Sequence, residues 1–161
     1  MAWTALAQAA DSWASLYSNS AVLRTAVGFG HIAGLVAGGG AALVEDRAVL
    51  RATGPDDGER RQRARGTHGA HRVMLTGLLL VMASGVLLTA ADYDLFLRSR
   101  IFWTKMGLVG LLIVNGAILT AAGRAVERGQ PAAWRRLRLA AVCSLALWLL
   151  ITLLGAALPN V

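Results

Sequence analysis

Four apolar stretches, at residues 21–44, 73–91, 101–123 and 139–158, decide the solvent in which this chain folds. Each is about as long as the ~20 residues an α-helix needs to cross a ~30 Å hydrocarbon core. They read as four membrane-spanning helices. The 161 residues leave little room for a soluble domain beside them, and a mean hydropathy of +0.54 agrees with that. Short connections between the stretches imply an all-α integral membrane four-helix bundle, up-down-up-down, over residues 21–161.

The formal net charge of +7 would suit a nucleic-acid binder, but its placement suits a membrane better. Twelve of the sixteen cations lie in or beside the first and third connections: Arg47, Arg51, Arg60, Arg61, Arg63, Arg65 and Arg72, then Arg124, Arg128, Arg135, Arg136 and Arg138. The opposite side keeps Arg24, Arg98, Arg100 and Lys105. The positive-inside rule therefore expects both arginine-rich connections in the cytoplasm and both termini outside. The arginines are expected to meet anionic headgroups, so the bilayer and not nucleic acid is the expected partner.

Residues 1–20 lack the basic start of a cleaved signal peptide and are expected to be retained. Trp3, Leu6, Trp13, Leu16 and Tyr17 share roughly one helical face there, which implies a short helix in the outer interface. Tyr93, Phe96, Phe102 and Trp103 would join it in an aromatic belt. The single cysteine, Cys143, excludes an internal disulfide and reads as a small packing residue. Thr53–Gly58 (TGPDDG) is a helix-breaking turn stretch, and the ERRQRARGTHG run after it is highly charged. Gly129-Gln130-Pro131 is a helix stop followed by a restart.

Function is to be sought among polar residues at membrane depth. His31 lies about ten residues into the first span, ~15 Å down a helix. An ionisable group there is a functional-site candidate by default. Three roles suit it: a hydrogen bond across the bundle, ligation of haem or another metal, or proton transfer. Gly30, Gly34 and Gly38 recur every four residues beside it. They make either a close helix-packing face or a flat wall for a planar ligand. His68 and His71 sit more than ~15 Å from His31 along the membrane normal, too far to share a haem with it.

Met82 has a more suitable depth for a thioether ligand to haem iron or copper(I), although methionine is also an ordinary gap filler. Lys105, about one turn into the third span, either snorkels outward, pairs with Asp92 or Asp94, or holds a ligand's carboxylate. Asn115 is expected to bond across the bundle, and Ser84, Thr89 and Thr152 to satisfy their hydroxyls locally. The sequence has no Cys-x-x-Cys-His, Walker or HExxH motif and no regular polar face for a pore.

Two motifs carry a resemblance. His31-Ile-Ala-Gly-Leu, followed by Gly38–Gly40 and Ala-Leu-Val-Glu, looks like the first span of an uncharacterised family of four-helix bacterial inner-membrane proteins. Tyr93-Asp-Leu-Phe-Leu-Arg-Ser-Arg-Ile-Phe-Trp-Thr-Lys-Met resembles that family's start of span three, with its Phe-Trp-x-Lys-Met signature. The plan is also broadly similar to HemJ-type protoporphyrinogen oxidases and to CopD-type copper-resistance membrane domains, which place a histidine in the first span. HemJ has a lysine early in the third.

The resemblance implies an inner-membrane location and a site for haem binding or tetrapyrrole chemistry at His31 and Lys105. The chain departs from HemJ proteins in lacking a histidine in the segment LLIVNGAILTAAGR, and from CopD in lacking a multi-histidine path. The combined expectation is a redox-linked protein holding haem b, with electron transfer simpler than catalysis. His31, Gly34, Gly38, Met82 and Lys105 are the candidate cofactor site. The alternatives are copper handling through His31, Met82 and Met106, and an accessory subunit of a larger membrane complex or homo-oligomer.

Overall fold

The computed structural model describes residues 2–52 and 68–158, with side chains described for 8–52, 72–130 and 132–158. The TGPDDG turn, most of the charged run after it and the side chains of Trp3, Leu6, His68 and His71 lie outside the described residues. Within them are six helices: α1 (Ala2–Asn19), α2 (Ala21–Arg51), α3 (His68–Ala91), α4 (Tyr93–Arg98), α5 (Arg100–Glu127) and α6 (Pro131–Ala157). Helices α2, α3, α5 and α6 are long and apolar enough to cross a membrane. A helix is the natural choice there, because lipid offers no partner for an unpaired backbone N–H or C=O.

The helices extend beyond the apolar stretches, mostly at the arginine-rich end. The 31 residues of α2 span about 46 Å, well over the hydrocarbon thickness. Local chemistry sets the boundaries. Ser20 caps α2 by accepting from the Leu23 N–H, Asp92 caps α4 through Leu95, and Ser99 caps α5 through Phe102. At the other end of α5, Gly129 adopts φ 79°, so that its N–H reaches the Val126 carbonyl and the Gln130 N–H reaches that of Ala125. This Schellman closure uses glycine's access to positive φ, and Pro131 then opens α6. The expected stop and restart are thus realised at the residues that signalled them.

Three helix pairs hold the bundle: α2 with α3, α2 with α6, and α5 with α6. The fourth pair of a closed square, α3 with α5, barely meets. One apolar cluster joins Val49, Ala122, Val126, Trp134, Leu137 and Ala141 at the arginine-rich end. A second, around Ala42, Leu112, Trp148 and Ile151, lies further toward the middle of the bundle. Many other large apolar side chains face outward, Val22, Phe29, Val36, Leu79 and Leu149 among them, as a lipid-facing surface requires.

Helix α1 packs across α3 and the start of α2. The Trp13 indole N–H donates to the Leu87 carbonyl of α3 at 2.8 Å, and Trp13 and Tyr17 are turned inward together. Leu16, expected on the same face, is 61% exposed. The Arg24 guanidinium donates to the carbonyls of Tyr17 and Ser18, placing a cation at the negative end of α1.

Two further expectations change. Phe102 is buried between Phe96 and Trp103, so Tyr93 and Trp103 are the outward-facing aromatics at this end. Cys143 is exposed on the outer face of α6 and is not a packing residue.

Candidate functional site

Gly34 and Gly38 give α2 a face with no side chains, and α3 meets it at Gly77. A Cβ placed on Gly77 would lie 2.5 Å from the Gly38 nitrogen and 2.6 Å from its Cα. One on Gly34 would lie 2.9 Å from the Gly77 carbonyl oxygen and 2.8 Å from a Val81 methyl. The backbones therefore touch, which is how small residues join helices in a solvent that supplies no hydrophobic drive. The wall that a planar ligand would have used is covered by α3.

One turn further along, the seam meets His31. Its Nδ1 is 2.9 Å from the Ser84 hydroxyl oxygen, and its ring edge rests beside Gly85, where a Cβ would lie 3.5 Å from Cε1. The Ser84 hydroxyl donates its one proton back into its own helix, with the Leu80 carbonyl at 2.6 Å and that of Val81 at 3.2 Å. A hydroxyl has one proton to give and lone pairs to share. With the proton placed there, Nδ1–H donates and the Ser84 oxygen accepts in the His31 contact. The neutral imidazole then carries its lone pair on Nε2, the arrangement found where a second partner orients a ligating histidine. Ser84 was expected to do no more than satisfy itself. It does that and also reaches the His31 ring on the neighbouring helix.

Lys105 approaches from α5. Its side chain is half-buried and its Nζ would lie 3.3 Å from a Cβ on Gly155, so it lies against the bare surface of α6 near that helix's outer end. The ammonium is close enough to act electrostatically on the His31 ring. It has no ion pair among the described residues: Asp92 caps α4, and Asp94 pairs with Arg98 at 3.9 Å. An unpaired cation and an imidazole lone pair thus come from two different helices.

Met82 does not join them. It lies about 100° round α3 from Val81, on the side that Leu75 and Leu78 present to the α3–α5 gap, and is 45% exposed. Met106 is 37% exposed on α5. No group of three or more metal-binding His, Cys, Asp or Glu side chains occurs among the described residues. For haem, the fit is therefore partial: His31 and Lys105 suit an iron and a carboxylate, whereas Gly34, Gly38 and Met82 are placed elsewhere.

Asn115 donates from Nδ2 to the Ala140 carbonyl at 2.9 Å, tying α5 to α6 as expected. Thr89 and Thr152 bond to the carbonyls four residues back. Asp46, not singled out from the sequence, is 3% exposed, and its Oδ2 lacks a hydrogen-bond partner. The available signal was its register: Gly38, Ala42, Asp46 and Val49 fall on one packed face of α2. For Ser84 it was the run Gly77, Val81, Ser84, Gly85, which marks the α3 face turned to α2.

Comparison of the chain with known protein families, with curated proteins and with solved structures gave no match.

Proposed function

We propose that this is a redox-linked membrane protein that binds haem b through a single histidine, His31, at the end of the bundle opposite the arginine-rich connections. One observation carries the reading: the Ser84 hydroxyl commits its proton to its own helix, which leaves the His31 Nε2 lone pair available to a metal. Lys105 supports it as an ammonium that has no ion-pair partner among the described residues and is suited to a propionate. Haem bound there would supply a one-electron couple. The chain's residues would ligate it, orient it and neutralise its acid group. Electron transfer at the periplasmic side of a bacterial inner membrane is the simplest activity consistent with that set. Copper handling has less support, because Met82 lies on a face of α3 turned away from His31 and Met106 is partly exposed on α5.

The test is the absorption spectrum of detergent-purified protein from haem-replete cells, oxidised and reduced, beside His31→Ala and Lys105→Gln. A Soret band that shifts on reduction, is lost in His31→Ala and is weakened in Lys105→Gln supports the proposal. A colourless wild type rejects it. A second reading, an accessory subunit of a larger membrane complex, draws on α5: Cβ atoms added at Gly107, Gly110, Gly116 or Gly123 would meet nothing, which leaves bare helix surface for a partner. Co-purification with one defined partner and no pigment would favour it.

A further inference from the structure

The gap between α3 and α5 encloses a cleft of about 550 Å³ toward the arginine-rich end of the bundle. That volume falls within the range of small-molecule sites. Met74, Leu75 and Leu78 form one wall, Leu112, Ile113 and the small stripe Gly116–Thr120–Gly123 another, and Trp148 closes the back. Because α3 and α5 barely meet, and Leu75 and Ile113 are each more than two-fifths exposed, the mouth opens sideways into lipid.

The polar end of the cleft is unusual for its surroundings. The chain concentrates arginines at this end, yet the described lining residues include three carboxylates, Glu45, Asp46 and Glu127, and one cation, Arg124. Among the described residues none of these four makes an ion pair, and the only pair, Asp94 with Arg98, lies at the other end. Asp46 is the deepest of them. Ser144 lies against its carboxyl group, but Oδ2 is buried without a hydrogen-bond donor. An unsatisfied buried polar group costs about 1–3 kcal/mol, and more when charged. The Asp46 carboxyl sets a negative charge at the head of an open apolar cleft, which an occupant's positive charge would answer.

We propose that this cleft binds a cationic amphiphile: an apolar body entering from the bilayer between α3 and α5, with its single positive charge set against Asp46. Charge decides the class of occupant. A neutral acyl chain would fill the walls and leave the Asp46 charge unanswered, whereas an anion would face an excess of carboxylates among the described lining residues. The register also fits. Asp46 lies two residues beyond the apolar stretch of α2, near the membrane boundary, while Leu78, Leu112 and Trp148 lie deeper, so head and body of the occupant would each meet their own medium. This site uses neither His31 nor Lys105 and stands independently of the haem proposal.

Equilibrium dialysis of the full-length, detergent-purified protein with tetraphenylphosphonium tests it. Saturable binding is expected. Asp46→Asn should weaken it by about tenfold or more, the equivalent of ~1.4 kcal/mol, and Asp46→Glu should retain most of it. Asn115→Ala, outside the lining, should bind as wild type does. Uncharged tetraphenylsilane should compete poorly. In wild-type protein the cation should also protect Asp46 from dicyclohexylcarbodiimide, read by mass spectrometry, which removes any dependence on how the variants fold. Absence of saturable binding, equal binding by a folded Asp46→Asn variant, equal competition by the silane, or carbodiimide labelling unaffected by the cation would each overturn the proposal.

Discussion

Helix α2 treats two of its ionisable side chains, His31 and Asp46, oppositely. His31 faces the sealed seam with α3, where its Nδ1 shares a hydrogen bond with the Ser84 hydroxyl. Asp46 lines the cleft left by the sparse α3–α5 contact, and its Oδ2 finds no donor. The difference lies in how closely the helices approach. At Gly34, Gly38 and Gly77 the backbones touch, which brings a short serine on α3 within hydrogen-bond reach of α2. No comparable contact closes α3 onto α5, and polar groups at that end remain separated by open volume. A satisfied polar pair contributes rigidity, whereas an unsatisfied one is a liability or a receptor.

The largest expected effect tests the sealed side. Gly77→Val should cost about 1–3 kcal/mol or more, since even its first carbon collides with α2 backbone that has nowhere to move. Gly107→Ala, where an added Cβ meets nothing, should stay within about 0.5 kcal/mol of wild type. Detergent unfolding monitored by circular dichroism measures both. Equal effects at the two positions would mean that α2 and α3 do not touch as described.

The open side should respond in the reverse direction. Asp46→Leu removes the carboxyl whose Oδ2 is unpartnered and is expected to stabilise the ligand-free protein by about 1–3 kcal/mol in the same assay. A large loss would show that Asp46 is paired in the folded protein and that the contrast with His31 is false. Asn115→Ala, which frees the Ala140 carbonyl from its side-chain donor, should cost about 0.6–2 kcal/mol, as interhelical hydrogen bonds in membranes do. Ser84→Ala should cost a similar or smaller amount and should also allow the His31 tautomer to redistribute. An unchanged imidazole NMR signature in that variant would deny Ser84 its orienting role.

Much of the architecture was legible because lipid leaves few choices. A stretch of about twenty apolar residues must be helical, and Ser20, Ser99 and Gly129-Gln130-Pro131 mark helix ends by local chemistry alone. The periodicity of Gly34 and Gly38 pointed to a bare helix face, and His31 to a polar position beside it. What covers that face depends on which neighbour approaches, and nothing in α2 by itself names Gly77.

The roles of Ser84 and Asp46 were hidden for the same reason. A serine in an apolar helix usually bonds to its own backbone, as Thr89 and Thr152 do. Whether its oxygen also serves another helix is a property of two helices together. Asp46 sits in an acidic-basic sequence, Glu45-Asp46-Arg47, that reads as the end of a span, and only the packing of α6 against α2 buries it. Met82 shows the converse: its depth suited His31, but its angular position on α3 turned it toward the gap.

The central claim is that α2 presents an imidazole whose Nδ1 proton is held by Ser84 and whose Nε2 is free. Nitrogen-15 NMR of histidine-labelled, cofactor-free protein in lipid bilayers, assigned with His31→Ala, tests it most directly. The account predicts a protonated Nδ1 and an unprotonated, pyridine-type Nε2 for His31, with that preference relaxed in Ser84→Ala. A proton on Nε2 in the wild type would contradict it, leaving the lone pair pointed at Ser84 and no nitrogen available to a metal.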